Sequence, residues 1–512
     1  MLLKNSRYLY RMYLLKRPVI LWLFLVCCAG LGCRGPRAAF DPGKKYSPAQ
    51  LERDYTLFQN ILEESHPSVT WYTPADSMQY YFNWGRQQLK DSLTEPQFRS
   101  VLTYVISKIH CGHTSTRYSK NYLSFLDTAR LPLFPISIKW LDNDTILLGN
   151  SIQRGNQVLP RGTVLTTLNN RSLLRLADSL SNYIPSDGYN ENYLRQTLSN
   201  RGAFGGWLRL IDGYDPEYKL GYIDSSGQEA FVHFRLYEPR RRDSIKHNAV
   251  LPAIKEKLKR KQRREDRRFD ARSIQIDTAL STAYMTVNTF NNGYQLRSFF
   301  KNSFRELRKE NIQQLVIDIR SNGGGNVNHS TFLTKMISNQ RFKLADSLYA
   351  IRKKSQYGRY VQNNWFTGLL FTIITRKKAD GFYHFGYYER HYFKPRKKDH
   401  YNGQVYVLTG ANTFSAAALF AGAMKGLPKV KLIGEETGGS AYGNTAWFIP
   451  NVHLPESGIR FRLPRFRLVI DKNKPKDGRG VLPDIEVKTT REDIMQNRDP
   501  KVELVRKLIT TP

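Results

Sequence analysis

Apolar residues recur along this chain with different periods, and the changes of period divide it. From Ser47 the spacing is helical. Ser47-Pro48-Ala49-Gln50 has the form of a capping box with proline in the first turn, and Leu51, Tyr55, Phe58 and Leu62 follow at helical intervals. Thr94-Glu95-Pro96-Gln97 opens a second such helix, with Phe98, Val101, Leu102, Val105 and Ile109 on one face and Gly112 as its stop. Residues 41–130 thus read as a helical N-terminal domain. From about 131 the runs become short and strand-like, as in Ile136-Ser137-Ile138, Thr145-Ile146-Leu147-Leu148 and the stretch from Gly162 to a turn at Asn169-Asn170. After 274 four buried runs stand out, at 283–287, 315–319, 405–408 and 430–433, with helical stretches between them. Continuous apolar strands alternating with helices predict an α/β domain over 274–490, its largely parallel sheet covered on both faces. Residues 491–512 are left as a C-terminal helix or tail.

Two segments break the pattern. Lys4, Arg7, Arg11, Lys16 and Arg17 precede an apolar run from Val19 to Leu31 that ends in Gly30-Leu31-Gly32-Cys33. This is the layout of an export signal, short for a membrane span, and its end resembles a lipoprotein cleavage box. Residues 1–33 are therefore expected to be a signal peptide with Cys33 as the lipidated first residue of the mature chain. The second segment, Asn364–Thr375 (NWFTGLLFTIIT), is apolar, too short to cross a bilayer, and set in an aromatic and basic stretch over 351–400. It reads as a lid or a substrate-facing insertion.

Composition changes the picture in two ways. The chain has 512 residues with 79 Lys plus Arg against 44 Asp plus Glu, a formal charge of +35. Losing residues 1–32 removes five positive charges and leaves it strongly basic. The charge concentrates in residues 241–273, as in KEKLKRKQRREDRR at 255–268, which reads as a solvated linker. That run lacks aromatics to stack on bases, so no nucleic-acid partner is expected. Cys27, Cys28 and Cys33 sit in the leader, which leaves Cys111 alone in the body and excludes an internal disulfide scaffold. No CxxC or HExxH spacing is present to suggest a metal site.

Two loops carry candidate chemistry. The strand 315–319 runs into Ser321-Asn322-Gly323-Gly324-Gly325. Glycine amides there could face a developing oxyanion; a phosphate cradle would need the Gly-Lys-Ser/Thr ending that is missing. The strand 405–408 leads to Thr413-Phe414-Ser415-Ala416-Ala417 and then to strong helix formers. Ser415 would stand at a strand-to-helix turn, where a serine is either a plain N-cap or an exposed nucleophile.

Together Leu315–Gly325 (LVIDIRSNGGG), Thr413–Ala417 (TFSAA), Gly434–Gly439 (GEETGG) and Gly478–Val487 (GRGVLPDIEV) resemble, in this order, the tail-specific (C-terminal processing) and tricorn-core serine peptidases. The resemblance implies a crotonase-like α/β catalytic domain, a helical N-terminal unit and often a PDZ-like insert, for which the β-rich segment 131–240 is the candidate. One branch of that family uses a Ser–Lys dyad, but its lysine position falls on Ser440 here. The tricorn-like branch takes a histidine from the N-terminal unit and an acid from near the C-terminus. On that pattern Ile109-His110-Cys111-Gly112-His113-Thr114 supplies His113 as general base, with His110 as a decoy, and Asp477 is the acid, with Asp484 the alternative.

The roles that follow are Ser415 as nucleophile, His113 as base, Asp477 as its orienting acid, and the amides of Gly324 and Ala416 as oxyanion hole. Gly323 and Gly325 would line the substrate. No metal or organic cofactor is needed. The expected activity is hydrolysis of peptide bonds in exported proteins or peptides, by a membrane-tethered lipoprotein facing the periplasm of a Gram-negative bacterium. Two other readings are a non-catalytic binding protein on the same fold and an adaptor for anionic lipid or lipopolysaccharide that uses the basic linker.

Overall fold

The computed structural model describes residues 40–129, 131–141, 146–148, 152–154, 157–236 and 260–511. The leader, Cys33 and residues 237–259 of the basic run lie outside the described residues. Two compact units are distinguished, Met1–Pro42 and Gly43–Pro512. Everything below concerns the second.

Its centre is a six-stranded sheet in the order Arg272–Asp277, Thr282–Val287, Gln314–Asp318, Gln404–Thr409, Val430–Gly434, Ile485–Glu486. The first pair is antiparallel and every later pair is parallel. Successive residues of each strand face opposite sides, which explains the unbroken apolar runs. Leu315 and Ile317 pack under the helices Leu296–Lys309, Val327–Ile337 and Ala416–Met424. Val316, Tyr406 and Ile433 pack instead with Val505 on the C-terminal helix Pro500–Thr510. That helix is pinned by Arg320, whose guanidinium bonds Asp318 (2.7 Å) and the N-cap residue Asp499 (2.8 and 2.9 Å).

The N-terminal helices Pro48–Ser65, Ala75–Gln87 and Glu95–Ser107 do not close a core alone. Leu51, Phe58, Phe98 and Leu102 share one with Val452, Leu454, Ile459, Phe461 and Leu463. A three-stranded sheet of Asn451–His453, Arg460–Arg462 and Thr116–Arg117 makes the same connection through the backbone. This union brings the loop after Glu95–Ser107 to the α/β domain. Residues 131–236 form an antiparallel sheet, Glu229–Arg235, Glu217–Ile223, Val164–Leu168, Ile146–Leu148 and Ile138–Trp140, with helices Leu173–Ser181, Glu191–Ser199 and Ala203–Ile211 packed on it. The apolar segment in the 351–400 stretch is a helix, Asn364–Ile374. It stands beside a five-stranded antiparallel sheet containing Ser347–Ala350, Phe466–Val469 and Gly443–Ala446, and it packs on that sheet's Phe466.

Candidate active site

The strands Gln314–Asp318 and Gln404–Thr409 are parallel neighbours with Asp318 opposite Leu408, so their C-terminal ends release two loops side by side. Ligands of open parallel sheets bind at such ends. The loops are stitched together: Phe414 N–H donates to Asn322 O (3.0 Å), Thr413 Oγ1 to Ile319 O (2.9 Å), and Gly439 N–H to Thr413 O (3.2 Å). Gly324 takes φ +96°, and a side chain there would put its Cβ 2.7 Å from Ser415 Cβ. Only glycine allows the two loops to approach this closely.

Ser415 itself adopts φ 53°, ψ −121°, an unusual conformation for a residue with a side chain, and it caps the helix Ala416–Met424. Its side chain makes no cap hydrogen bond. The hydroxyl is instead 3.0 Å from His113 Nε2. His113 is buried, its ring 4.9 Å from that of Phe414. Gly112 lets this loop close on the serine: a Cβ there would fall 2.6 Å from the Phe414 ring.

Asp187 stands on the other side of the imidazole. Its Oδ1 lies 3.6 Å from His113 Nδ1 and accepts the Gly112 N–H at 2.8 Å. Both side chains are buried, and neither His113 Nδ1 nor Asp187 Oδ2 has a hydrogen-bond partner. A shift of under an ångström would bring Nδ1 within hydrogen-bond distance of Oδ1, as catalytic hydrogen bonds in empty sites often tighten only around substrate. The residues thus make a line from Ser415 through His113 to Asp187.

Two sequence expectations need correction. Asp477 is exposed, and its carboxylate accepts the Arg479 N–H (2.9 Å) in a local turn. It does not meet His113. What reaches the site from that loop is backbone: Gly478 O accepts the Tyr189 N–H (3.1 Å) and braces the turn that carries Asp187. Second, the Gly324 N–H is already given to Asn322 Oδ1 (2.9 Å), while Asn322 Nδ2 holds Val287 O (2.9 Å). The amide of Ala416, first in its helix, has no intrahelical acceptor and faces the serine turn. Gly323 is exposed with open space where a side chain would stand, and Gly325 (φ +136°) lies against Phe290 and Asn291.

The remaining candidates have other partners. His110 bonds Gly188 O through Nδ1 (3.1 Å), and burial pushes its pKa down to about 4. Asp484 pairs with Lys425 (2.5 Å) and accepts the Leu432 N–H (2.8 Å). Lys429 bonds Asn402 O (3.2 Å), Lys431 is exposed, and Ser440 is buried. Cys111 Sγ, His113 Nδ1 and an Asp187 oxygen lie within 4.8 Å of one another, a possible three-ligand metal set. Burial pushes the Cys111 thiol up to about 12, so a metal would have to displace its proton and take Nδ1 from the acid. A cavity of about 1040 Å³ opens nearby, lined by Trp140, Tyr189, Arg195, Glu436 and Arg479, and does not include Ser415 or His113.

The match to a family of serine peptidases marks the chain as a serine-type peptidase, a hydrolase of peptide bonds. Residues 281–487 match the model of peptidase family S41. The whole chain is similar in fold to mature CPAF, at 15% identity and TM-score 0.60 over 90% of this chain and 96% of that one. It matches mature CPAF complexed with lactacystin at 14% identity and TM-score 0.60, covering 90% and 98%. A putative peptidase from Parabacteroides merdae aligns at 14% identity and TM-score 0.44, covering 91% and 98%. No curated protein matches the sequence.

Proposed function

We propose that the chain is an endopeptidase of exported proteins or peptides that works through a Ser415–His113–Asp187 triad. The observation that carries the reading is the 3.0 Å approach of His113 Nε2 to a serine hydroxyl that caps nothing. In the first step His113 takes the Ser415 proton as Oγ attacks the peptide carbonyl. The Ala416 amide, at the positive end of its helix, stabilises the oxyanion. Asp187 stabilises the imidazolium formed in that step. The proton then passes to the leaving amine, and water, deprotonated by His113, releases the acyl group from Oγ. The test is a fluorophosphonate probe followed by mass spectrometry of peptides cut from a protein mixture. Ser415 should be labelled, and Ser415→Ala should abolish both labelling and cleavage while the circular dichroism stays unchanged. Undiminished cleavage by folded Ser415→Ala would sink the reading.

We further propose that Cys33 carries a lipid anchor that holds the mature chain on a membrane. The support is the basic leader, the apolar run and the small residues before Cys33. Intact-mass analysis of protein from membranes should give a chain beginning at a diacylated Cys33. A mature terminus elsewhere rejects this.

A further inference from the structure

We propose that the helix Asn364–Ile374 is an interfacial docking element whose outer face inserts into the surface of an anionic lipid bilayer. Turning 100° per residue, the helix places Trp365, Phe366, Leu369 and Ile373 within one arc of about 100°. Their exposures are 80%, 61%, 50% and 64%. Thr367, Gly368 and Phe371 occupy the opposite arc and are buried. Phe371 seats the helix edge-on against Phe448 (5.1 Å between centroids) and Phe466 (4.9 Å). Four large apolar side chains of the helix are thus held outward while Phe371 anchors its inner face. A contiguous exposed patch of this kind marks an interaction surface.

The surrounding charge points to the partner. Residues 351–379 contain seven Lys or Arg and no Asp or Glu. Lys354 is exposed, its Cγ 3.8 Å from where a Cβ would stand on Gly368 of the inner arc. Arg359 is on the 3-10 turn Gly358–Tyr360, which leads into the N-terminal end of the helix, and Arg376 and Lys377 are at its C-terminal end, all three exposed. Lys378 is spent on Glu389 (2.6 Å), and Glu64 from the N-terminal helices is engaged with Ser355 and Gln356. An apolar face rimmed by cations matches acyl chains below anionic headgroups.

The polar groups of the helix support lipid over a folded protein partner. Thr367, Thr372 and Thr375 hydroxyls each donate to the carbonyl four residues earlier (3.0, 2.9 and 2.6 Å). Arg376 Nη1 donates to the carbonyls of Thr372, Ile373 and Thr375 (3.3, 3.3 and 3.1 Å), closing the C-terminal end. Hydrocarbon offers no hydrogen bonds, and these threonine hydroxyls and terminal carbonyls are satisfied without it. Eleven residues span about 16 Å, far short of a bilayer core of about 30 Å, so the helix would lie in the interface plane. Among the described residues no helix is long and apolar enough to cross a membrane. The same buried cluster holds Phe371 and Leu419, and Leu419 is on the helix that Ser415 caps, so docking would set the orientation of the serine relative to the membrane.

The test is local, so an anchor at Cys33 cannot mimic it. The full chain is mixed with vesicles whose acyl chains are brominated, either phosphatidylcholine with phosphatidylglycerol or phosphatidylcholine alone. The fluorescence of Trp365 is taken as the difference between the wild type and Trp365→Phe. On anionic vesicles this component should fall at least about twofold. The loss should shrink severalfold on neutral vesicles, in high salt, or in an Arg376→Glu/Lys377→Glu variant. Leu369→Ser/Ile373→Ser, at exposed positions that leave the core intact, should also remove the quenching with an unchanged melting temperature. No quenching of Trp365 on any vesicle overturns the proposal, even if the chain sediments with lipid. So does a dimer that Leu369→Ser/Ile373→Ser converts to monomer without any quenching, which would give this face to a second copy of the chain.

Discussion

Replacing Asp187 by asparagine separates the acid seen in the structure from the one expected from the sequence. The change is nearly isosteric, so the loop should hold its shape. It removes a negative charge 3.6 Å from His113 Nδ1, where both side chains are almost fully buried. In the transition state for acylation the imidazole becomes positive. Two opposite unit charges at that distance, in an effective dielectric of about 20, attract by about 4–5 kcal/mol. The Gly112 N–H holds the asparagine carbonyl oxygen in the place of Oδ1 beside Nδ1, so a carbonyl dipole there retains part of this attraction while the full charge is lost. A loss of about 10²–10³-fold in kcat/KM follows, carried mostly by kcat because the charge on His113 exists only in the transition state. Asp477→Asn changes an exposed side chain bonded to one backbone amide and should cost less than about threefold. The assay is single-turnover cleavage of one peptide by both variants, with melting curves to show that each is folded. Near-wild-type turnover in Asp187→Asn beside collapse in Asp477→Asn would refute the reasoning and restore the C-terminal acid.

Lys425→Ala and Lys431→Ala should each keep turnover within about threefold of the wild type, since Lys425 is held by Asp484 at the surface and Lys431 is exposed. A collapse of activity in either folded variant would favour a lysine base. Cys111 should resist alkylation at pH 8.5 in the native chain and react fully in denaturant, because burial pushes its thiol up to about 12 and keeps it protonated. Peptide mass spectrometry after iodoacetamide reads both states, and rapid native labelling at Cys111 would contradict its burial.

The α/β core was legible because its signal is local. An unbroken run such as Leu315-Val316-Ile317 can be satisfied only if both faces are covered, and the structure sends alternate residues to two different clusters. The partnership of the N-terminal helices with residues 452–463 was not legible. It depends on strands more than 300 residues apart, Thr116–Arg117 and Arg460–Arg462, and neither has a hydrophobic pattern that names the other. The stop of the second helix was misplaced for a related reason. Gly112 reads as a helix terminator, yet the helix ends at Ser107 and His110 takes the positive φ. Gly112 is glycine because Phe414, 302 positions later, leaves no room for a side chain.

The carboxylate that lies beside His113 was not legible because each rival had a good local explanation. Ser186-Asp187-Gly188 looks like an ordinary turn, the commonest use of Asp-Gly in a loop. The Asp477 segment carries a family motif, and that motif does point to the right neighbourhood. Its loop touches the Asp187 turn through Gly478 O, and Glu436 from the Gly-Glu-Glu-Thr strand end grips Arg479 (2.6 Å) and Gly480 N–H (2.6 Å) to hold the loop there. The motif therefore fixes a backbone scaffold around the base, while the carboxylate comes from the scaffold's neighbour. One feature of the sequence could have separated them. Asn190, three residues after Asp187, caps the helix Glu191–Ser199, and its side chain also holds Thr437 O (2.7 Å). A turn fixed at its far end by a helix cap, and tied to the strand end beside the nucleophile, presents a buried aspartate in one orientation. An exposed aspartate in a lysine-rich loop has no such restraint, and a group that must stabilise a transient charge needs it in place before the charge appears.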